Sequence, residues 1–225
     1  DGRTVRSKSV LSLLVLNPIK NKKMAFKKLP ETLIENLTIA GYEDFLPAQE
    51  ELFRKIREGK NLIVINEGNT GFSTLMVMAS IFKVPEPQEG SPRVIMICAN
   101  DDEVIARAEE MRAWAKHMDL TIDLAHDKGH QVQQRNNIFD GTEIVIGTAN
   151  RIYNIYIQSG LNLNMLKLFI IDDVNLSLKG KNLAHLARIG DSLPKCQVVI
   201  GAKEYDKKLE MLREHMQKAF VKVKM

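Results

Sequence analysis

A loop between an apolar strand and an apolar helix holds the residues best suited to chemistry. In NLIVINEGNTGFSTL, residues 61–75, the apolar run 62–65 precedes a turn with two glycines and three hydroxyl side chains, at Gly68, Gly71, Thr70, Ser73 and Thr74. Glycines let backbone amides approach a phosphate, and the helix that follows would point its amino terminus at that phosphate. This order of strand, glycine-containing loop and helix is typical of a nucleotide site.

The same loop lacks the charge that such a site normally uses. The phosphate-binding pattern places glycine and lysine directly before the threonine, whereas Thr74 follows Phe72 and Ser73. A lysine would neutralise the terminal phosphates, and Glu67 instead adds a negative charge. We expect the Phe72 side chain to crowd the place where backbone must approach phosphate. The loop therefore predicts a vestigial nucleotide site; a turn that needs its glycines only for backbone geometry is the alternative.

The chain is basic overall, but its positive charge lies at its two ends. The 225 residues carry a net charge of +4 at pH 7. Residues 1–28 contain eight lysines and arginines against one acidic residue, and residues 203–225 contain seven against four. Residues 29–202 consequently have a net charge of −6. Because a body of this charge repels phosphate, nucleic-acid binding by it would need a local basic patch.

The sequence favours neither a disulfide scaffold nor export nor a membrane span. Two cysteines, Cys98 and Cys196, are too few for a disulfide framework, which predicts a reducing, cytoplasmic location. The apolar run 10–16 is too short to cross a bilayer, and no small cleavage-site residues follow it. We predict a flexible basic extension over residues 1–23 and a folded domain over 24–225. A phosphate-binding arm is the functional alternative for the extension.

Short apolar runs alternate with amphipathic segments along most of the chain. Helices are predicted over 30–41, 47–58, 74–83, 101–117, 131–138, 150–158, 181–190 and 205–218, and strands over 62–65, 94–99, 120–125, 143–148, 166–172, 196–202 and 220–223. Strands that alternate with helices are joined by right-handed crossovers into a parallel sheet. The sequence therefore predicts a single α/β domain, a parallel sheet with helices on both faces.

Polar and irregular residues cluster where the apolar runs end. They occupy 67–74, 99–103, 126–130, 148–151, 172–175 and 201–203. Since ligands of open α/β sheets bind beyond the carboxyl ends of the strands, we expect one functional edge there. His126 and His130 lie within it, but Asp127 and Gly129 between them favour a turn, so we predict no metal site at these histidines.

Taken in order, these segments resemble the first of the two RecA-like domains of DEAD-box RNA helicases, a fold of the P-loop NTPase type, over residues 26–225. Phe26 and GYEDFLPAQ at 41–49 resemble the Q motif, and GKNLIVINEGNTGFST occupies the place of the phosphate loop. The DEAD, TPGR and SAT motifs are resembled by IIDDVN at 170–175, TANR at 148–151 and GAK at 201–203. The order and spacing of the segments carry the resemblance, because no single motif is specific by itself.

The resemblance implies roles for individual residues. ATP or ADP would be bound by an aromatic ring stacked on adenine, a glutamine at the adenine edge and the loop, namely Phe26, Gln49, Gly68, Thr70, Gly71, Ser73 and Thr74. Mg²⁺ would be held by Thr74 and Asp172, with Asp172 and Asp173 as vestigial catalytic acids. RNA would contact Gly129, Thr148 and Arg151. Structural alternatives are a turn cap for the two aspartates and an ordinary helix position for Gln49 and Arg151.

Departures from the family pattern fall on the chemistry. Ser73 replaces the phosphate-binding lysine, and Asp173 replaces a longer glutamate that would orient water. Lys203 replaces the threonine of SAT. Asn100 and Asp101 replace the threonine and arginine of the PTRELA motif, so one RNA-phosphate contact becomes an acid. The second RecA-like domain, which supplies an arginine to ATP in this family, is absent from residues 1–225.

Three functions are compatible with this pattern. The first is a pseudoenzyme with weak or no ATPase activity that binds RNA or a ribonucleoprotein surface. The second is an ATP-dependent RNA helicase that uses an unusual phosphate loop and a second domain supplied in trans or outside this chain. The third is a protein-binding module whose former nucleotide edge, with Phe72 and nearby acids, docks a partner. The sequence leaves enzymatic activity open.

Overall fold

The structure is a computed structural model that describes residues 26–68 and 70–225. A short 3-10 helix, Phe26–Lys28, precedes the α-helices α1 (Glu31–Ile39), α2 (Pro47–Arg57), α3 (Phe72–Lys83), α4 (Asp101–Trp114), α5 (Gln131–Asp140), α6 (Ala149–Ile157), α7 (Val174–Ser177), α8 (Asn182–Gly190) and α9 (Lys207–His215). The strands are β1 (Leu62–Ile65), β2 (Val94–Cys98), β3 (Ile122–Ala125), β4 (Ile144–Thr148), β5 (Leu168–Ile171), β6 (Gln197–Ala202) and β7 (Val221–Lys224). The predicted extension 1–23 lies outside the described residues.

The seven strands form one parallel sheet in the order β3-β4-β2-β5-β6-β1-β7. At its centre Val94 of β2 pairs with Leu168 of β5, and Leu62 of β1 pairs with Val199 of β6. The predicted α/β fold is confirmed. Because all strands run the same way, their carboxyl ends meet at one edge of the sheet. Loops from β1, β5 and β6 are neighbours there, and so are loops from β2, β3 and β4.

Two apolar layers lie on opposite faces of the sheet. Alternate residues of each strand enter different layers, as β2 illustrates with Met96 on one side and Ile95 and Ile97 on the other. Helices α1–α4 cover the first layer and α5–α9 cover the second. The central strands are buried on both faces, which explains their continuous apolar runs. Within the part of the chain that the structure describes, no helix is both long and apolar enough to cross a membrane.

Local signals fix the points at which the helices nearest the edge begin. Pro47 is the first residue of α2, where its missing N–H leaves no hydrogen bond unmade. Side chains of Asn100, Thr148, Asp173 and Asp206 accept a hydrogen bond from the backbone N–H three residues later and cap α4, α6, α7 and α9. Three of these caps lie at the ends of β2, β4 and β5 or within two residues of them, so they also set the shape of the edge.

Candidate functional site

The loop after β1 has the backbone geometry of an anion-binding turn. Gly68 and Gly71 have φ angles of +105° and +74°, a region that favours glycine. Gly71 is the N-cap of α3, and it offers no side chain to the amides of the first helical turn. Thr70 Oγ1 donates a hydrogen bond of 2.5 Å to Asn66 Oδ1, which ties the two ends of the turn together. The sequence analysis did not single out Asn66.

The Phe72 side chain points into the core and not into this loop. It is 1 % exposed and belongs to the apolar layer beneath α1–α4. Its ring lies against Gly201, where an added Cβ would overlap both the ring and the Asp172 carbonyl oxygen. The expectations that Phe72 crowds a phosphate or docks a partner are therefore wrong, because the first residue of α3 faces inward. The glycine at the SAT position leaves the space that this ring fills.

A cleft of about 260 Å³, here called the Asp172 cleft, opens where the loops after β1, β5 and β6 meet. It is lined by Asn66, Gly68, Ser73, Asp172, Asp173, Ala202 and Lys203. The structure thus brings together four predicted site residues, Gly68, Ser73, Asp172 and Asp173. Thr74, which was also predicted, does not line this cleft.

Asp172 is held in an environment that disfavours its charge. The residue is 8 % exposed, and its Oδ1 atom is buried and has no hydrogen-bond partner in the part of the chain that the structure describes. Burial raises the pKa of this carboxyl group from 3.8 to about 6, an effect that the Ser73 hydroxyl and the Arg107 guanidinium oppose. A hydroxyl therefore stands beside Asp172 where a lysine of the phosphate-binding pattern would have supplied a full positive charge.

Asp173 and Lys203 form an ion pair at the mouth of the Asp172 cleft. Lys203 Nζ lies 3.6 Å from Asp173 Oδ2, and Lys203 is the one basic residue among the described residues that line the cleft. The Asn175 Oδ1 atom accepts a hydrogen bond of 2.7 Å from the Lys203 amide, which joins the loop after β5 to the loop after β6. The cleft consequently combines two carboxylates with one exposed and already paired ammonium.

A second cleft of about 460 Å³, here called the Gln49 cleft, lies on the other side of the loop. Its lining consists of Gly41, Tyr42, Glu43, Asp44, Leu46, Gln49, Gly71 and Thr74. Gln49 Oε1 accepts a hydrogen bond from the Leu46 amide, and its Nε2 donates one of 2.9 Å to the Gly71 carbonyl. The glutamine amide thus connects the Q-motif segment to the phosphate loop.

Phe26 lies away from the Gln49 cleft. Its ring is 2 % exposed and packs edge-on against Phe45, with ring centroids 5.4 Å apart. Stacking of Phe26 on adenine would require this ring to leave the core. The half-buried Tyr42 is the aromatic residue that lines the cleft, and its ring packs edge-on against Trp114.

The two residues predicted to hold Mg²⁺ lie in different clefts. Thr74 lines the Gln49 cleft and Asp172 lines the Asp172 cleft. Among the described residues, no three or more histidines, cysteines and acids group around a possible metal position. Mg²⁺ commonly uses one or two carboxylates and completes its shell with water and substrate phosphate. The unpartnered Oδ1 atom of Asp172, together with Asp173 and the Ser73 hydroxyl, fits that more limited role.

The three residues predicted to contact RNA meet at the other half of the edge. Thr148 Oγ1 accepts a hydrogen bond from the Arg151 amide and so caps α6. The Arg151 side chain is only 8 % exposed, and its Nη2 atom lies 3.0 Å from the Asp127 carboxylate. Gly129 follows in the same turn as Asp127, and a side chain at Gly129 would overlap the Gln134 amide. Asp127 thus pairs with the arginine predicted to contact RNA, although the sequence indicated only that it follows β3.

Replacing Gln49 with alanine is expected to lower the free energy of unfolding by about 1–3 kcal/mol, because the Leu46 amide and the Gly71 carbonyl lose their partner. Urea denaturation measures the difference. Glu50→Ala, at the next position of α2, is the control and should change the free energy of unfolding by less than about 0.5 kcal/mol. Equal effects of the two substitutions would contradict the connecting role of Gln49.

The DEAD/DEAH box helicase family profile matches residues 46–202. The chain belongs to this family, as the order and spacing of its sequence motifs had predicted. It is 22 % identical to DEAD-box ATP-dependent RNA helicase 41 of Oryza sativa over 97 % of this chain and 42 % of that protein. It is 22 % identical to the ATP-dependent RNA helicase RhlB of Pseudoalteromonas atlantica over 67 % of this chain and 37 % of that protein. The chain therefore spans less than half the length of these curated relatives.

Solved structures confirm the RecA-like fold. A DEAD box protein from Methanococcus jannaschii superposes with a TM-score of 0.78 at 18 % identity, covering 87 % of this chain and 54 % of that one. Dbp5 of S. cerevisiae, bound to RNA and ADP BeF3, superposes with a TM-score of 0.73 at 16 % identity, covering 90 % of this chain and 52 % of that one. At these identities the comparison concerns the fold alone.

Proposed function

We propose that this chain is an RNA-binding DEAD-box domain with little or no ATPase activity. The observation that carries the proposal is the charge arrangement of the Asp172 cleft. Ser73 faces Asp172 where a lysine would pair with phosphate, and the Lys203 ammonium is 3.6 Å from Asp173. Phosphoryl transfer depends on neutralising the charge that develops on phosphate oxygens, and two carboxylates oppose that.

RNA binding is supported by the family and by the basic ends of the chain. The relatives are named RNA helicases, and a similarly folded chain has been solved with RNA bound. Residues 1–23 carry six lysines and arginines, and they would add electrostatic attraction that the acidic body does not provide. A cytoplasmic location and a ribonucleoprotein partner are part of this proposal.

We expect the protein to bind labelled single-stranded RNA with an affinity that falls steeply as salt rises. Each phosphate neutralised contributes about −0.7 to the slope of log affinity against log salt. Removal of residues 1–23 should weaken binding and flatten this slope. Fluorescence anisotropy measures both quantities. Undetectable binding, or binding independent of salt, would rule out the proposed function.

The same protein should release no phosphate from ATP above background and give no calorimetric signal with millimolar ATP or ADP and magnesium. Ser73→Lys supplies the missing charge beside Asp172 and leaves the buried Phe72 ring in place. If only this variant binds nucleotide, the missing lysine charge explains why the unchanged protein does not. Saturable ATP turnover by the unchanged protein would contradict the proposal.

Lys203 favours a second candidate, a nucleotide-dependent enzyme with an unusual loop. This ammonium could leave Asp173 and pair with a nucleotide phosphate, since it is exposed and lines the Asp172 cleft. A second RecA-like domain would then act in trans or lie outside this chain. Under this candidate Lys203→Ala abolishes nucleotide binding while Lys207→Ala, an exposed lysine on α9, leaves it intact. A lack of nucleotide binding in all three proteins would eliminate it.

A further inference from the structure

At the outer half of the edge, two aspartates bind the backbone amides and the arginine that would otherwise bind phosphate. This part, here called the Arg151 edge, consists of 100–102 after β2, 126–129 after β3 and 148–151 after β4. The Asp101 carboxylate accepts hydrogen bonds from the Asp127 amide, at 3.1 Å, and from the Lys128 amide, at 2.9 Å. Adjacent backbone amides of a turn that point at one anion form a nest of the kind that binds phosphate. Asp101 fills this nest.

The second aspartate neutralises the arginine. Arg151 Nη2 lies 3.0 Å from Asp127 Oδ1 and also donates to the Asp127 carbonyl at 3.5 Å. The Asp127 side chain is 56 % exposed, whereas that of Arg151 is 8 % exposed. The carboxylate therefore lies between the guanidinium and solvent. Lys128, in the same turn as Asp127, pairs with Asp102 of α4. The basic side chains of 126–129 and 148–151, namely His126, Lys128 and Arg151, therefore all lie near carboxylates.

Arg151 is nevertheless incompletely satisfied by these contacts. Its Nε and Nη1 atoms are buried and have no hydrogen-bond partner among residues 26–68 and 70–225. A guanidinium has five N–H donors in a planar fork, and a phosphate with several oxygens satisfies more of them than one Asp127 oxygen does. The unmet donors cost free energy in the present arrangement and favour a multi-oxygen acceptor.

We infer that Asp101 and Asp127 act as internal phosphate mimics that set the RNA affinity of the Arg151 edge. RNA can engage this edge only by displacing Asp101 from the amide nest and Asp127 from the guanidinium. The inference rests on the proposed RNA-binding function and adds its regulation: the edge is closed by carboxylates of its own chain. Loss of either negative charge removes one of the two contacts that RNA must displace and so raises the affinity for RNA.

The RNA arm of the test uses Asp127→Asn, which keeps the size of the side chain and removes its charge. We expect labelled single-stranded RNA to bind about five- to tenfold more tightly, with a salt slope steeper by about one phosphate contact. Arg151→Ala should remove this gain in the Asp127→Asn protein, because the guanidinium that the phosphate would reach is then absent. The charge-matched control is Asp140→Asn, an exposed residue at the end of α5 and the opposite edge of the sheet. A gain no larger than that of Asp140→Asn overturns the inference while leaving RNA binding intact.

The second arm requires no RNA and therefore separates the inference from the proposed function. Asp101→Ala empties the amide nest, and Asp101→Asn keeps a hydrogen-bond acceptor there. Inorganic phosphate should shift the ¹H–¹⁵N resonances of Asp127 and Lys128 in the alanine variant only. Absence of these shifts in a folded alanine variant overturns the inference. If that variant does not fold, Asp101→Asn serves in the RNA assay, and an affinity equal to that of Asp140→Asn overturns it.

Discussion

Replacement of Phe72 with alanine is expected to lower the free energy of unfolding by about 3–5 kcal/mol, as for other fully buried phenylalanines. The ring is 1 % exposed and fills the space over Gly201. Its loss leaves a cavity between α3 and the sheet that the rigid strands around it cannot close. Urea denaturation followed by circular dichroism measures the change.

Phe139→Ala is the matched control for this substitution. Phe139 lies on α5 with 71 % of its surface exposed, so its removal should change the free energy of unfolding by less than about 0.5 kcal/mol. A loss below 1 kcal/mol for Phe72→Ala would mean, on the scale of measured core substitutions, that the ring is not a core residue.

The size of this effect changes how the phosphate loop can be repaired. Restoring the family pattern in full replaces Phe72 with glycine, which removes the same ring. Because a typical domain is stabilised by only about 5–15 kcal/mol, a loss of this size would complicate any measurement of the nucleotide affinity of the repaired protein. Where the family motifs have a glycine, this chain has the large side chain of Phe72, and where they have a serine, it has Gly201. Restoring the family residue at position 72 alone leaves a cavity, and restoring it at position 201 alone makes the new side chain overlap the Phe72 ring.

The sequence was sufficient for the fold because its periodicities are strong and local. The apolar run at 62–65 became β1 without a change of boundary, and the alternation of helices and strands gave the parallel sheet. The four-residue helix α7 was missed, since one turn has too few residues to show a period. The parallel arrangement of the strands then predicted where the polar residues of the Asp172 cleft and the Arg151 edge lie, because the carboxyl ends of the strands share one edge of the sheet.

The direction of individual side chains was less predictable. The phosphate-loop pattern placed Phe72 near a ligand, but the first turn of α3 directs it to the apolar layer and directs Ser73 to Asp172. The contact between Asp127 and Arg151 joins residues 24 positions apart. No periodicity encodes such a contact, which depends on how the loops after β3 and β4 approach each other.

Asp172→Asn is expected to raise the free energy of unfolding by about 2–3 kcal/mol at pH 8, because the amide avoids burial of a charge. The carboxyl group has its pKa raised from 3.8 to about 6, mainly by burial, and each unit corresponds to about 1.4 kcal/mol. Urea denaturation of both proteins over a range of pH measures the difference. An unchanged or lower stability of the variant at pH 8 would contradict the unfavourable charge.

The stability difference between the two proteins should depend on pH. A carboxyl group whose pKa is higher in the folded state favours folding while it is protonated and loses that contribution as pH rises. The two proteins should therefore be equally stable below pH 3.8, separate between pH 3.8 and about 6, and keep a constant difference above that range. Asp140→Asn removes an exposed carboxyl group and should stay within about 0.5 kcal/mol of the unchanged protein throughout.

A cation bound to the ionised Asp172 carboxylate would offset the cost of burying its charge at neutral pH. Magnesium is the test, because it binds the ionised form and would recover part of the lost stability. If magnesium raises the melting temperature of the unchanged protein but not that of Asp172→Asn, the Asp172 cleft has kept its cation site although the loop has lost its lysine. If magnesium affects both proteins equally, Asp172 contributes no such site.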